Sequence, residues 1–237
     1  MTSKASLSDV PVIILCGGGS SRIRDLTLDK PKAMLEVGGM PILWHIMKIY
    51  SHYGFNKFVL TLGYQGDYIR DYFESEQKVF FRDFNVILAE TGLNTANGAR
   101  VLRCKPYIDS DVFLCTYGDG VSDVDIFRLY SFHLRKGVIG TITGVRVNHN
   151  FGIIKKSKNG LLLSYRKGHP MENLINGGFM VFSKEYLKYL HDGDEGAGSE
   201  IEEPFGLLAK KRQMAVYYHP GFWGAFDTFK DLAKLKN

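Results

Sequence analysis

The chain has 237 residues, of which 45% are hydrophobic and 23% charged, a composition typical of globular proteins. Its formal net charge of +5 is too small, and its basic residues too scattered, to indicate a nucleic-acid-binding protein. Three cysteines without a CxxC pair and the lack of a long apolar run exclude a disulfide scaffold and a membrane-spanning protein, so we expect a cytoplasmic location.

The first part of the chain alternates between strand and helix patterns. Strands are predicted over residues 12–15, 57–62, 85–89, 111–117 and 139–147. Helices are predicted from Pro41 to Gly54 and over residues 67–74, 97–103 and 125–136. This alternation predicts an α/β fold, in which a Rossmann-like, mixed but mainly parallel sheet carries helices on both faces.

The second part has a different pattern. Segments 151–156 and 161–166 flank Asn159-Gly160, a pair that favours a β-hairpin turn. Further strands are predicted over 174–182 and 214–218, and helices over 200–210 and 228–236. The polar residues 1–10 predict a flexible tail, and residues 11–237 a single domain.

A glycine run follows the first predicted strand and indicates a phosphate-binding loop. Gly17, Gly18 and Gly19 leave their backbone N–H groups accessible to an anion, and Arg22 and Lys32 add positive charge nearby. The segment matches neither the Walker pattern nor the dinucleotide-binding GxGxxG pattern. A simple glycine-rich turn with a solvated basic face is the alternative.

Two aspartates are candidates for a metal site. Asp119 lies between two glycines just after a buried strand, and Asp227 follows a loop that contains Trp223. Two carboxylates together with phosphate oxygens and water are typical of a Mg²⁺ site. Each aspartate alone is equally compatible with a plain turn.

A polyphosphate next to Mg²⁺ suits nucleotidyl transfer, in which a substrate phosphate attacks the α-phosphorus of a nucleoside triphosphate. Such a nucleophile is already ionised at neutral pH, which agrees with the lack of a Ser-His-Asp or Cys-His set in the sequence. The alternatives are a catalytically silent nucleotide sensor and a dinucleotide-dependent oxidoreductase. The broken GxGxxG spacing disfavours the oxidoreductase.

Several longer segments carry a resemblance to a known family. They are DKPKAM at 29–34, PILWHIMKIYSHYG at 41–54, YGDGVSDVDI at 117–126, NFGII at 150–154, INGGF at 175–179, EEP at 202–204 and HPGFWGAFDT at 219–228. With these the chain resembles the sugar nucleotidyltransferases and, within them, the cytidylyltransferases. The resemblance implies a Mg²⁺-dependent enzyme that joins CTP to a phosphorylated small molecule like glucose 1-phosphate, with neither nucleic acid nor membrane as a partner.

The resemblance also implies a role for individual residues. The catalytic residues would be Arg22, Lys32 and Asp119. The CTP-binding residues would be Leu15, Gly17, Gly18, Gly19, Arg22, Lys32, Thr91, Gly92, Gly98 and Asp119. The acceptor would contact Arg166, Lys167, Asn176, Gly177 and Glu203, and Mg²⁺ would bind Asp119 and Asp227. Residues 11–147 would then form the nucleotide-binding half and residues 148–237 the acceptor-binding half.

The chain departs from the family pattern at several places. Ser20 replaces a glycine of the loop, and NGAR at 97–100 replaces TGGR in the base-binding segment. Residues 72–90 are fewer than in the cytidylyltransferases, where an excursion helps to build the oligomer, so homo-oligomer formation stays open.

The most consequential departure is in the acceptor-binding half. Arg166-Lys167-Gly168 stands where the family has Glu-Lys-Pro. Arginine cannot accept a hydrogen bond from a sugar hydroxyl, but it attracts a carboxylate or a phosphate. The acceptor is therefore either a glucose 1-phosphate-like molecule, with Arg166 turned outward, or an acidic one such as an amino-acid phosphate or an acidic sugar phosphate.

Overall fold

The structure is a computed structural model that describes residues 6–19, 30–147, 152–167, 173–193 and 198–226. Its strands are β1 (Pro11–Leu15), β2 (Glu36–Val37), β3 (Met40–Pro41), β4 (Lys57–Leu62), β5 (Asn85–Glu90), β6 (Val112–Tyr117), β7 (Gly120–Ser122), β8 (Gly140–Val145), β9 (Ile153–Lys156), β10 (Leu162–Arg166), β11 (Ile175–Ser183), β12 (Met214–His219) and β13 (Trp223–Ala225). Its helices are α1 (Ile42–His52), α2 (Gly66–Glu74), α3 (Asn97–Arg103), α4 (Ile126–Lys136) and α5 (Phe205–Lys210). Short 3₁₀ segments include Leu7–Asp9, Lys32–Met34, Glu76–Phe81, Lys105–Tyr107 and Lys184–Tyr189.

Seven strands form the main sheet in the order β12-β8-β11-β6-β1-β4-β5. Strand β11 runs antiparallel to both of its neighbours, and the other strand pairs are parallel. Three two-stranded pairs, β9 with β10, β7 with β13 and β2 with β3, lie outside this sheet. The predicted mixed, mainly parallel sheet is confirmed.

Alternate side chains of β1 enter two different hydrophobic clusters, which explains the layers. Val12 and Ile14 pack with apolar residues of α1, α2 and α4, whereas Ile13 and Leu15 pack with residues of α3 and α5. Since successive strand residues point to opposite faces, the two clusters lie on opposite faces of the sheet. All five β1 residues are buried, as a central parallel strand requires.

Local sequence sets the helix ends. The Asp125 side chain accepts a hydrogen bond from the Arg128 backbone N–H at 2.8 Å and caps α4. Gly137 ends the same helix with φ of 59°, a left-handed conformation that glycine adopts without strain. No helix within the described residues is long and apolar enough to cross a membrane.

The predicted helix over residues 200–210 is wrong in its first half. Helix α5 begins only at Phe205, and residues 201–204 form turns. Pro204 explains the difference, because proline lacks an N–H and disfavours helical backbone in the residue before it.

The described part of the N-terminal segment differs from the predicted flexible tail. Leu7 packs against the core and Val10 is buried, although the sequence predicts a flexible tail over residues 1–10. Their apolar side chains explain this packing. Residues 1–5 and the predicted helix over 228–236 lie outside the described residues.

Candidate active site

The carboxyl ends of two neighbouring strands, β1 and β6, form the centre of the site. The Gly118 N–H donates to the Leu15 carbonyl at 3.0 Å. A Cβ at Gly118 would lie 2.8 Å from that carbonyl and 3.3 Å from the Ala33 Cβ. Only glycine therefore allows the 3₁₀ turn Lys32–Met34 to approach the end of β6 this closely. Ligands of open α/β sheets bind at such strand ends.

Lys32 and Asp119 meet at this point. The Lys32 Nζ lies 2.5 Å from Asp119 Oδ2, and the two side chains are 16% and 29% exposed. The sequence predicted both residues for the site but not their direct contact, because they are 87 positions apart. The pair thus places one cation and one carboxylate together at the carboxyl ends of β1 and β6.

A small ribbon brings the C-terminal part of the chain to the same place. Strand β13 pairs antiparallel with β7, which directly follows Asp119. The Phe226 N–H then donates to the Asp119 carbonyl at 2.9 Å. The next residue of the chain is Asp227, which lies outside the described residues, as does Arg22.

Two side chains fix this ribbon. His219 Nε2 lies 2.7 Å from Asp123 Oδ1, which joins the end of β12 to the residue after β7. The Trp223 Nε1–H donates to the Gly177 carbonyl at 2.7 Å, which joins β13 to β11. The sequence analysis missed both contacts, although the segment HPGFWGAFDT had been singled out. They connect the Asp119 end of the sheet to the predicted acceptor strand.

The glycine run has two different parts. Gly17 is buried, and a Cβ there would lie 2.4 Å from the Arg100 Nη1 atom. Gly18 and Gly19 are exposed, and a Cβ on either would meet no atom of the described residues within 4 Å. Within the described part of the chain, this segment is therefore tightly packed at its first glycine and open at the next two.

Arg100 is the functional candidate that the sequence analysis missed. It is 1% exposed, and its guanidinium donates to the Gly17 carbonyl at 2.8 Å. It also donates to the Thr91 hydroxyl and the Gly92 carbonyl, each at 2.7 Å. The phosphate loop and the predicted base-binding segment thus share one buried cation. The visible signal was an arginine in the NGAR segment on α3, but its burial depends on loops that converge only in the fold.

The predicted base-binding residues are mostly internal. Thr91 is buried, and its hydroxyl donates to the Leu62 carbonyl at 2.6 Å. Gly92 has φ of 86°, and a Cβ there would lie 2.8 Å from Thr95 Oγ1. A Cβ at Gly98 would lie 2.5 Å from the Ser199 carbonyl, so this glycine serves the packing of α3. Their role toward a base stays a prediction.

The acceptor residues on β11 lie at an irregularity in the sheet. The register between β11 and β8 shifts between Asn176 and Met180, and the Asn176 Oδ1 accepts from the Gly178 N–H at 3.0 Å. A Cβ at Gly178 would lie 2.6 Å from the Tyr117 ring at the end of β6. Bulges of this kind often redirect side chains next to active sites. Asn176 and Gly177 therefore lie beside the Asp119 end of the sheet.

Neighbouring glutamates differ in their contacts. The Tyr117 hydroxyl donates to the Glu202 carboxylate. Burial is the main cause that raises the pKa of Tyr117, with the hydrogen bond to Glu202 as the second cause. Glu203 lies instead 3.4 Å from His191 Nε2 at the exposed surface. The structure thus brings Glu202 to the end of β6, while the acceptor role of Glu203 stays a prediction.

Arg166 and Lys167 lie at the end of β10, in the two-stranded ribbon formed with β9. Both are exposed, and neither side chain makes a hydrogen bond or an ion pair with another residue in the part of the chain that the structure describes. Their proximity to an acceptor stays a prediction, and two cationic side chains are available for an anion at this position.

The nearest cysteine is not a nucleophile. Burial, with a smaller contribution from the Asp119 charge, raises the pKa of the Cys16 thiol to about 12. A neutral thiol neither attacks a substrate nor binds a metal as thiolate. The Cys16 thiol is therefore unsuited to covalent catalysis at this end of the sheet.

Comparison with known proteins agrees with this geometry. Residues 11–236 match the family described as nucleotidyl transferase. The chain belongs to this family. A probable glucose-1-phosphate cytidylyltransferase of Bacillus subtilis is 38% identical over 94% of this chain and 93% of that protein. The glucose-1-phosphate cytidylyltransferase of Salmonella typhi is 34% identical over the same shares of the two chains.

The fold is shared with solved structures. HddC from Yersinia pseudotuberculosis, crystallised with GMP-PN, superposes with a TM-score of 0.71 and 23% identity, over 96% of this chain and 98% of that one. The predicted family, fold class and nucleotidyltransferase activity are confirmed.

Proposed function

We propose that this nucleotidyltransferase joins CTP to a phosphorylated small molecule, releases pyrophosphate and gives a CDP-linked product. The observation that carries the proposal is the contact between Lys32 and Asp119 at 2.5 Å, beside the open glycines of the β1 loop. The relatives named glucose-1-phosphate cytidylyltransferase support CTP as the nucleotide and a sugar 1-phosphate as the acceptor class. Residues 11–147 hold the nucleotide and residues 148–237 the acceptor, within one domain.

The chemical step needs no general base. A phosphate monoester has its second pKa at about 6, so an acceptor oxygen is already a nucleophile at neutral pH. This oxygen forms a bond to the α-phosphorus of CTP while the bond from that phosphorus to the bridging oxygen breaks. The electron pair leaves with pyrophosphate. Catalysis therefore depends on alignment and on neutralisation of charge.

The residues divide this work. The exposed N–H groups around Gly18 and Gly19 bind triphosphate oxygens, and Arg22 adds a charged fork. Lys32 exchanges Asp119 for the reacting phosphates and compensates the charge that develops on them. Asn176 and Gly177 lie on the acceptor side, and the bond from Trp223 to Gly177 holds this side against the β7–β13 ribbon.

Asp119 and Asp227 are proposed to hold Mg²⁺. Asp119 fits this role because its carboxylate is part-exposed and flanked by glycines at the end of β6. No group of three potential ligands occurs among the described residues, and Mg²⁺ at nucleotide sites needs only one or two carboxylates besides the substrate phosphates. When bound, the ion would neutralise the triphosphate.

The acceptor is either glucose 1-phosphate-like or carries a second anionic group. The acidic alternative, an amino-acid phosphate or an acidic sugar phosphate, is favoured by the exposed cations Arg166 and Lys167, whose side chains form no ion pair within the described residues. A guanidinium pairs with a carboxylate or phosphate through two parallel hydrogen bonds.

Release of pyrophosphate tests the reaction. The purified chain is incubated with Mg²⁺, one of CTP, UTP, dTTP or GTP, and one acceptor from a panel that includes glucose 1-phosphate, an acidic sugar phosphate and an amino-acid phosphate. We expect pyrophosphate with CTP and a CDP-linked product by ³¹P NMR. Use of another nucleotide would contradict the choice of CTP, and CTP binding without turnover would favour a silent sensor.

The charge at residue 166 tests the acceptor class. With an acidic acceptor, Arg166→Glu should raise the KM for that acceptor by about tenfold or more, the effect of losing a charged hydrogen bond. Reversal of the exposed Arg135 on α4 is the matched control. Efficient wild-type turnover of glucose 1-phosphate, unchanged in Arg166→Glu, would exclude the acidic-acceptor alternative.

A further inference from the structure

Arg100 is the largest of the fully buried side chains among the described residues, and its hydrogen-bond partners are neutral. They are carbonyl oxygens and one hydroxyl, from Gly17, Leu62, Thr91, Gly92 and Leu93. Burial and the nearby charge of Arg103 lower its pKa. Burial of a cation without a carboxylate partner is costly, and an apolar side chain could fill the same volume at lower cost. Space filling therefore does not explain this arginine.

The guanidinium joins the ends of three adjacent parallel strands. Gly17 follows β1, Leu62 ends β4, and Gly92 and Leu93 follow β5, and each of their carbonyls lies within 3.1 Å of one of the two terminal nitrogens of the guanidinium. A planar fork with several donors in fixed directions can bind such a set, whereas the compact ammonium of lysine cannot reach all of it.

The loops are shaped around this fork. A Cβ at Gly17 would lie 2.4 Å from Arg100 Nη1, and one at Gly63 would lie 2.5 Å from the same atom. Both positions, at the ends of β1 and β4, thus leave the space that the guanidinium fills. The contact between Arg100 and the loops is a close mutual fit and not an incidental approach.

The inward carbonyls determine where the next N–H groups point. In a planar trans peptide, the C=O and N–H bonds point in opposite directions. The Gly17 carbonyl is bound by Arg100 and by the Tyr64 N–H at 3.1 Å, so the Gly18 N–H points away from the interior. The same argument applies to the N–H groups of Leu93 and Asn94, which follow the carbonyls of Gly92 and Leu93. Gly18 and Leu93 are both exposed.

We propose that Arg100 is a positioning residue that sets the distance between the triphosphate-binding loop and the base-binding segment and turns their N–H groups toward the nucleotide. This inference rests on the proposed function. Arg100 would affect the affinity for the nucleotide by orienting the backbone N–H groups of the loops, and it would not contact the acceptor.

Two variants of Arg100 distinguish the effect of the guanidinium geometry from the effect of its positive charge. Arg100→Lys keeps the positive charge and loses the fork, whereas Arg100→Met keeps an unbranched side chain and loses both. Val101→Ala is the matched structural control, because Val101 is a fully buried residue of the same helix that packs in the core away from the loops. The readouts are the thermal midpoint, the affinity for CTP by calorimetry without metal, and the separate KM values for CTP and acceptor.

We expect both Arg100 variants to bind CTP at least about tenfold more weakly, the effect of losing hydrogen bonds from a charged group. The KM for the acceptor should stay within about twofold of the wild-type value. The variants weaken nucleotide binding equally in the ground state and the transition state, and this loss appears in the KM for CTP. Val101→Ala should lower the thermal midpoint and leave the affinity for CTP unchanged. Wild-type affinity in Arg100→Lys would overturn the proposal, as would an equal loss in Val101→Ala at the same thermal midpoint.

Amide hydrogen exchange of the wild-type protein tests the same idea when a variant fails to fold. The N–H groups of Gly18 and Leu93 should exchange rapidly in the free protein and slow by about tenfold or more on addition of CTP. Unchanged exchange at saturating CTP would overturn the inference alone. A wild-type protein that binds no nucleotide would overturn the proposed function, and the inference with it.

Discussion

The two sides of the candidate site are built in opposite ways. On the proposed nucleotide side, the loops after β1, β4 and β5 are bound to one buried guanidinium, and Gly17 has no room for a methyl group. On the proposed acceptor side, the β9–β10 ribbon is exposed on both strands, with Ile154 at 65% and Leu162 at 64% exposure. The first region has its shape before any ligand binds, and the second has few internal contacts to lose.

This difference separates affinity from selectivity. If these loops bind the nucleotide as proposed, they need no ordering on binding, which favours affinity and correct alignment. An exposed ribbon with Arg166 and Lys167 can change its acceptor through surface substitutions that leave the fold intact, since such substitutions rarely alter stability by much. The chemistry of the family and the choice of acceptor would then be encoded in separate parts of the chain.

The largest effect is expected where the two sides meet. Lys32→Met and Asp119→Asn should each lower kcat by at least about a thousandfold, because each removes a charge that the reacting phosphates or their counter-ion require. Steady-state release of pyrophosphate with saturating CTP measures this loss.

The control for these variants is Lys30→Met. Lys30 is two positions away and forms an exposed ion pair with Glu36 at 3.2 Å. We expect it to keep wild-type turnover, and all three variants to unfold within about 1 kcal/mol of the wild type, since the ion pairs are part-exposed. Near-normal kcat in Asp119→Asn would refute the role given to this carboxylate.

The next largest effect is expected for Gly17→Ala, which tests how rigid the loops around Arg100 are. Gly17→Ala places a methyl group within 2.4 Å of a guanidinium that cannot shift without losing its bonds to the three loops. We expect a loss of about 3 kcal/mol or more in the free energy of unfolding, the upper range for overpacking. Urea denaturation measures it.

Gly19→Ala serves as the matched control, because a Cβ at Gly19 would meet no atom within 4 Å among the residues that the structure describes. It should unfold like the wild type and weaken CTP binding only through the added methyl group in the loop. If Gly17→Ala were as stable as Gly19→Ala, the nucleotide side would be no more rigid than the ribbon, and the comparison would fail.

Sequence patterns sufficed for the sheet because its strands are continuous apolar runs. Strand β4 has the predicted bounds, and α3 also begins and ends where predicted. Lys32 and Asp119 could be proposed as site residues because glycine-rich segments follow the buried strands β1 and β6, and their roles stay predictions. Local signals of this kind need no knowledge of distant residues.

The remaining features depend on pairing over long separations. The β7–β13 ribbon joins segments about 100 positions apart, such as Ser122 with Trp223, and three residues per strand carry too little pattern to predict. Arg100 appears in the sequence as an ordinary helix residue, since nothing local shows that three loops surround it. Such contacts become visible only when the fold brings the loops together.

The pH dependence of the free energy of unfolding tests the effect of burial on His133, which packs against the main sheet. His133 on α4 is 3% exposed, its Nδ1 lies 2.9 Å from Thr141 Oγ1, and burial lowers its pKa to about 4. In the unfolded chain this pKa is about 6.5, so the unfolded state takes up the proton first as pH falls. The contribution of His133 is therefore intact above pH 6.5 and declines toward pH 4, by roughly 2–3 kcal/mol.

His133→Asn should flatten this decline while its amide keeps a polar group opposite Thr141. The free energy of unfolding of both proteins is compared between pH 7 and pH 4, so that other titrating groups cancel in the difference. If the free energy of unfolding fell equally with pH in both proteins, the titration of His133 would not cause the decline.

The smallest loss of stability is expected for a substitution in the β9–β10 ribbon. It is best compared with the same substitution in the buried strand β1. Ile154→Ala removes an exposed side chain and should change the free energy of unfolding by less than about 0.5 kcal/mol. Ile14→Ala removes the same atoms from fully buried β1 and should cost about 2–5 kcal/mol. The ratio of the two losses, measured by urea denaturation, quantifies how unequal the two sides are. A loss in Ile154→Ala that approaches the loss in Ile14→Ala would place the ribbon within the cooperative core, and a change of acceptor there would then also cost stability.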